Sequence, residues 1–198
     1  MNIHANTVYV VDDDARIRKA LLRLLQAHGF DVLAFASARE FLAMDGLKTT
    51  ACLVLDVSMP DLGGFALQEH LAKARNLLPI IFLTGKGDIP MSVRAIKAGA
   101  SDFLTKPVNS VELLRAVRAA LAFASERSFE RNCYEKLTAR EREVMEQVVA
   151  GKLNKQIAAD LGTSEQNIKI HRGRVMAKMG LVSVADLVRV AERLSNAP

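Results

Sequence analysis

In residues 51–64, ACLVLDVSMPDLGG, the apolar run Cys52–Leu55 shows no polar alternation and stops at Asp56. A strand that is apolar on both faces belongs in a sheet covered on both sides, as parallel sheets flanked by helices are. Similar short runs lie to either side at Thr7–Val11, Val32–Phe35, Ile80–Leu83 and Asp102–Leu104. Between them the apolar spacing lengthens to that of a helix. Ile17, Leu21, Leu24 and Leu25 keep one face before Gly29, and Val111, Leu114, Val117 and Leu121 keep another from about Ser110. Strand–helix alternation repeated five times predicts an α/β domain built on a five-stranded, doubly wound parallel sheet.

Half of the 198 residues are hydrophobic and a quarter are charged, which suits a packed core and not a disordered chain. No apolar run approaches the ~18 residues of a spanning helix. The N-terminus, MNIHANTVYVVDDD, meets three acids where a secretory leader would continue. Cys52 and Cys133 lie far apart and form neither a metal motif nor a disulfide framework. The expectation is a soluble, cytoplasmic protein without a membrane partner.

The net charge of +5 is unevenly spread. Residues 152–178 hold six basic side chains (Lys152, Lys155, Lys169, Arg172, Arg174 and Lys178) against two acids, Asp160 and Glu165. Such a cluster suits a polyanion such as nucleic acid, although a solvated helix face has the same composition. The surrounding pattern is helical throughout. Residues 123–136, FASERSFERNCYEK, contain neither Pro nor Gly and extend the preceding helix as a connector. Thr138 and Glu141 then form a capping box, and Gly151 ends that helix. Lys155–Leu161 is a short helix, Gly162-Thr163 a turn, and Glu165–Met179 a longer helix ended by Gly180. Ser183 caps a last helix. A short helix, a tight turn with glycine and a longer basic helix is a helix-turn-helix pattern.

The chemistry of the first half collects at strand ends. Asp12, Asp13 and Asp14 follow the first strand, Asp56 ends the third, Thr84 ends the fourth and Lys106 follows the fifth. In an open parallel sheet the carboxyl ends share one edge, so these residues meet in one crevice. Carboxylates crowded together repel unless a cation sits among them, and a hard divalent ion such as Mg²⁺ takes oxygen ligands. Acids, a metal, a lysine and a hydroxyl make a site for a phosphoryl group. Each residue alone is an ordinary helix cap or loop residue; the set is not.

VVDDD, LDVSMPDLGG, IIFLTGKGDIPMSVRAIKAGASDFLTKPV and LTAREREVMEQVVAGKLNKQIAADLGTSEQNIKIHRGRVMAKMG together resemble a two-component response regulator of the FixJ type, over nearly the whole chain. That family joins a flavodoxin-like receiver to a four-helix, LuxR-type helix-turn-helix. The resemblance implies a receiver at 1–122, a helical connector at 123–136 and a DNA-binding domain at 137–198. It implies that Asp56 accepts a phosphoryl group from a sensor histidine kinase. Asp12 and Asp13 would hold Mg²⁺ with Asp56 and the backbone carbonyl of Ser58, Asp14 being secondary. Thr84 and Lys106 would contact the phosphoryl oxygens, Phe103 would be the switch aromatic, and the Lys106–Pro107 bond would be cis. The family is not enzymatic beyond Mg²⁺-dependent phosphorylation and dephosphorylation of itself. Its implied partners are promoter DNA, RNA polymerase and, once phosphorylated, a second copy, with activation as the outcome.

On the longer basic helix, the recognition helix of such a motif, Gln166, Asn167, Lys169, Ile170 and Gly173 are expected near base edges. Lys155, Arg172, Arg174 and Lys178 are expected on phosphates. Ile157, Ala158, Leu161, Ile168, Val175 and Met179 form the packing face. His171 is assigned a structural or phosphate role. Arg94, Lys97, Glu112 and Arg115 offer charges of both signs for a self-complementary dimer face, and the fragment 137–198 is expected to recognise the same DNA as the whole chain. Two departures stand out. Gly63-Gly64 replaces the acid or serine that many receivers carry before the second glycine, which would loosen that loop. Lys86 adds a cation near the crevice mouth. Other readings fare worse: a haloacid-dehalogenase-like phosphatase needs an Asp at 58, where Ser58 stands, and a flavin carrier needs a Ser/Thr-Gly-rich loop after the first strand. A phosphorylation-independent interaction module would have no use for the complete Asp12/Asp13/Asp56/Thr84/Lys106 set.

Overall fold

The computed structural model describes residues 6–195 apart from 49, 75 and 86–88, so Lys86 lies outside the described residues. Strands β1 (Thr7–Val11), β2 (Asp31–Phe35), β3 (Ala51–Asp56), β4 (Ile80–Thr84) and β5 (Asp102–Thr105) alternate with helices α1 (Ala15–Ala27), α2 (Ala38–Leu42), α3 (Gly64–Lys73), α4 (Ile89–Lys97) and α5 (Ser110–Glu135). All neighbouring strands are parallel, in the order β2-β1-β3-β4-β5. The direction of winding reverses at β1 and β3, which opens a crevice beyond their carboxyl ends.

Every residue of β1, β3 and β4 is buried, as their unbroken apolar runs require. Alternate side chains feed two cores. Val8, Val10, Cys52, Val54, Ile81 and Leu83 pack with Leu21 and Leu25 of α1 and Leu113, Leu114 and Val117 of α5. Tyr9, Val11, Leu53, Leu55 and Phe82 pack with Phe41, Leu67, Leu71 and Ala95 from α2, α3 and α4. One expected core position is corrected. Val111 is 73% exposed, because a residue six before Val117 has turned about 120° off the face that Val117 buries.

Between β3 and α3 the chain turns in very little space. A Cβ built on Gly64 would lie 2.4 Å from the Asp56 carbonyl oxygen and 3.1 Å from the Phe82 ring. Gly64 donates its N–H to Val57 O at 3.0 Å, and Gly63 is an N-cap with no side-chain hydrogen bond. The second glycine is therefore a requirement of close approach to the end of β3, whereas at Gly63 a Cβ would meet only Val57 O, at 3.4 Å, so no such requirement applies there.

By its contacts the chain divides into two compact units between Glu126 and Arg127. The second holds the end of α5 with α6 (Ala139–Val149), α7 (Asn154–Asp160), α8 (Glu165–Met179) and α9 (Val184–Ser195). Its core gathers Cys133, Leu137, Val144, Val148, Ile157, Ile168, Val175, Met179, Leu187 and Val190, with Leu161 packed at the edge. Local signals fix the helix ends. Thr138 and Glu141 cap α6 reciprocally, Ser164 Oγ accepts from the Asn167 N–H, and Gly180 closes α8 in the left-handed region at φ 67°. Arg193 of α9 grips the buried Glu130 of α5 through both carboxylate oxygens, Nε donating at 3.1 Å and Nη2 to the other oxygen. Among the described residues no helix is long and apolar enough to cross a membrane.

Candidate phosphoryl-acceptor crevice and helix-turn-helix surface

β1 and β3 deliver Asp12 and Asp56, both buried, to the crevice, and the exposed Asp13 joins them. One carboxylate oxygen from each of the three lies within 4.8 Å of the others. Lys106, one residue past β5, reaches between two of them, with Nζ 2.6 Å from Asp12 Oδ2 and 3.0 Å from Asp56 Oδ2. Its peptide bond to Pro107 is cis. Ser58 meets Asp56 through its N–H, which donates to Oδ1 at 3.2 Å. Thr84 is buried at the end of β4, and its hydroxyl lies 3.9 Å from Met91 Sδ. Phe103 is half-buried with its ring centroid 6.4 Å from that of Phe82.

Asp14 does something else. It is the N-cap of α1, accepting the Arg16 N–H at 2.8 Å and pairing with the Arg16 guanidinium at 3.1 Å. Among the dimer-face residues, Lys97, Glu112 and Arg115 are exposed. The Arg94 guanidinium is stacked over the Phe65 ring at 4.9 Å and so leans toward α3.

On α8, Gln166, Asn167, Lys169, Ile170, Gly173 and Arg174 are exposed, while Ile168, Val175 and Met179 are buried. Lys155 on α7 is also exposed. Arg172 is half-buried and donates to Asn154 Oδ1 at 2.6 Å, tying α8 to α7. His171 is half-buried, and its Nδ1 is enclosed without a hydrogen-bond partner among the described residues. Lys178 is exposed but has partners within the unit as well. Its ammonium is 2.6 Å from the buried carboxylate of Glu141 and 3.2 Å from Lys136 O, which gives it a structural task inside the unit.

Two family models match the chain: the response regulator receiver domain over residues 8–118, and bacterial regulatory proteins of the luxR family over residues 135–191. The chain belongs to the response-regulator family. This response regulator is 45% identical over 203 residues to response regulator protein TmoT of Ectopseudomonas mendocina, covering 99% of this chain and 92% of that one. It is 40% identical over 192 residues to transcriptional regulatory protein FixJ of Rhizobium meliloti, covering 93% and 94%. The solved structure of the response regulator StyR superposes with a TM-score of 0.61 at 42% identity, over 94% of this chain and 98% of that one. The regulator is thus a receiver joined to a LuxR-type DNA-binding domain, in a family of transcriptional regulators and not of classical enzymes.

The charges of the receiver crevice are in tension. Burial pushes the Asp56 carboxyl above its ordinary range, while the Lys106 ammonium and the Ser58 N–H draw it back. Burial also works against the Lys106 charge, but the bonds to Asp12 and Asp56 outweigh it and hold the ammonium above its ordinary value. Asp12, Asp13 and Asp56 offer only hard oxygen donors, and one lysine cannot neutralise three carboxylates. That donor set fits a hard divalent cation.

Two arginines beside the acidic triplet have partners that the sequence does not name. Arg16 binds Asp14, and Arg18 donates from Nη1 to the backbone carbonyl of Asp12 at 2.7 Å. Their signal was there: two arginines open a helix directly after three acids, where the helix dipole disfavours cations.

In the DNA-binding domain, Lys178 and the Thr138 N–H hold the Glu141 carboxyl at about 2, below its ordinary 4.5. The folded chain therefore binds this proton less readily than the unfolded one. The stabilisation is complete above about pH 4.5 and is lost as the pH falls from there toward 2. Glu141→Gln should accordingly be less stable than wild type at pH 6, with the gap closing as the pH is lowered through that window. Calorimetric melts at a series of pH values check this, and a gap that does not change with pH would rule out the charge pairing.

Proposed function

We propose that this regulator takes up a phosphoryl group on Asp56 from a sensor histidine kinase, dimerises, and binds promoter DNA to activate transcription with RNA polymerase in the cytoplasm. Residues 1–122 would serve as the receiver, 123–136 as the connector and 137–198 as the DNA-binding domain. The observation that carries the reading is the meeting of the Asp12, Asp13 and Asp56 carboxylates within 4.8 Å, with Lys106 at 2.6 and 3.0 Å from two of them.

An Asp56 oxygen attacks phosphorus as the bond to the donor's nitrogen or acyl oxygen breaks, leaving an aspartyl phosphate. Asp12, Asp13, Asp56 and the Ser58 carbonyl would hold Mg²⁺, whose charge screens the carboxylates from the incoming anion. Lys106 orients Asp56 and offsets charge on the transferred oxygens. Thr84 turns its hydroxyl toward those oxygens, and Phe103 follows into the space released. The altered surface, with Lys97, Glu112, Arg115 and Arg94 nearby, then pairs with a second copy. The test is covalent uptake of one phosphate per chain from acetyl phosphate, dependent on Mg²⁺; no uptake would end the reading.

For DNA, Gln166, Asn167, Lys169, Ile170 and Gly173 read bases from α8 while Lys155, Arg172 and Arg174 hold phosphates. Lys169→Ala should relax preference at one base position, at about 1–3 kcal/mol there. Arg174→Ala should weaken binding to every sequence and lower the salt slope by about one phosphate. Titrations on operator and random DNA at several salt concentrations separate the two. Equal loss on both DNAs for Lys169→Ala would remove it from the base readers.

A further inference from the structure

Helix α1 opens against the usual electrostatics of a helix. Its first turn has no acid, yet Arg16 and Arg18 stand at the end where the dipole is positive. Both side chains turn back onto the acidic triplet. Arg16 takes Asp14 out of the crevice by pairing with its carboxylate. Arg18 binds backbone instead, donating to the Asp12 carbonyl at 2.7 Å.

Asp12 is thereby held at every polar atom. Its N–H donates to Phe35 O at 3.3 Å, Oδ1 accepts from the Asp14 N–H at 2.9 Å, Oδ2 accepts from Lys106 at 2.6 Å, and the carbonyl is held by Arg18. Asp13 is exposed and has to find the same site from the solvent side. The peptide joining the two residues is planar. Fixing the Asp12 carbonyl oxygen therefore fixes the plane from which Asp13 departs, leaving its own backbone and side-chain rotations to aim the carboxylate.

We propose that Arg18 is a positioning residue for the acidic site, setting the Asp12–Asp13 peptide so that the Asp13 carboxylate stays with those of Asp12 and Asp56. The proposal rests on the reading of that site as a Mg²⁺ site. Geometry and field make opposite demands here. A guanidinium near a cation site weakens cation binding by repulsion, so on charge alone its removal would tighten Mg²⁺. Removal of the carbonyl bond frees Asp13 and weakens it.

Calorimetric titration of the full-length chain with Mg²⁺ distinguishes the two. Arg18→Lys keeps the charge on a compact ammonium whose stem stops short of where Nη1 donates, and Arg18→Met keeps the apolar stem without the charge. Both should raise the Mg²⁺ dissociation constant by about 10-fold, and by no more than about 100-fold, as loss of an outer-shell partner does. The Asp13 amide resonance of the metal-free protein should shift or broaden in both variants. An unchanged constant in Arg18→Lys with a tighter one in Arg18→Met would overturn the proposal. If Arg18→Met melts early, Arg18→Lys alone decides. Asp13→Asn run alongside separates this role from the reading beneath it. If Asp13→Asn does not weaken Mg²⁺, the metal reading fails; if it does while both Arg18 variants bind like wild type, only the role of Arg18 fails.

Discussion

Replacing Asp56 by alanine should abolish phosphate uptake from acetyl phosphate and, with it, the whole response of operator binding to the donor. In the wild type that response should reach ~10²–10⁴-fold, because joining two DNA-binding domains makes the second contact intramolecular. One recognition helix in one groove reads few base pairs, so a single domain binds weakly and a pair bound to two half-sites binds tightly. Asp56→Asn, which keeps the volume of the side chain, controls for packing. Phosphate incorporation is measured by mass, oligomeric state by sedimentation, and affinity by titration of a two-half-site operator with and without donor. Stoichiometric labelling of the Asp56→Ala chain would move the acceptor elsewhere. A labelled wild type that stays monomeric on and off its operator would leave unmasking of the DNA-binding domain as the means of control.

The sheet was legible because its signals are local. The apolar runs of β1, β3 and β4 say by themselves that both faces are covered, and each observed strand starts and ends within one residue of the run that announced it. Caps were legible for the same reason: Thr138 and Glu141 are three residues apart. Crevice residues could be gathered because parallel strands must deliver their carboxyl ends to one edge. What could not be read were polar partners fixed by tertiary packing. The basic cluster of residues 152–178 looked uniform, yet Lys152 pairs with Asp160, Arg172 with Asn154, and Lys178 with Glu141 thirty-seven residues away. Among the described residues, Lys155, Lys169 and Arg174 have no such partner and face outward, while Arg172 spends only one guanidinium nitrogen on Asn154 and keeps donors for a phosphate. Arg18 was hidden for a related reason. Its partner is a backbone carbonyl, which has no identity in the sequence.

The same non-local pairing alters the expectation for an isolated DNA-binding fragment. A chain of residues 137–198 should be largely unfolded, whereas 127–198 should fold and bind DNA. The shorter piece lacks Cys133, which is buried in the core, and Tyr134, which packs against it. Burial of one such side chain contributes about 1.5–3 kcal/mol when complete. It also lacks Glu130, leaving Arg193 without the carboxylate that its Nε and Nη2 grip, and Lys136, whose carbonyl accepts from Lys178. A core of about 60 residues rarely supplies more than about 3–5 kcal/mol in all, so these losses consume most of it. Arg193→Ala in the longer fragment isolates one contribution. It removes the guanidinium bound to the nearly fully buried Glu130, and breaking a buried pair from one side costs about 3–5 kcal/mol; the partly exposed guanidinium and the nearby charge of Arg127 place this case at or below the lower end. Urea unfolding followed by circular dichroism gives the comparison directly. Equal midpoints for 127–198 and 137–198 would mean that the last turns of α5 contribute nothing to the DNA-binding domain, and an Arg193→Ala fragment as stable as its parent would remove the ion pair from the account.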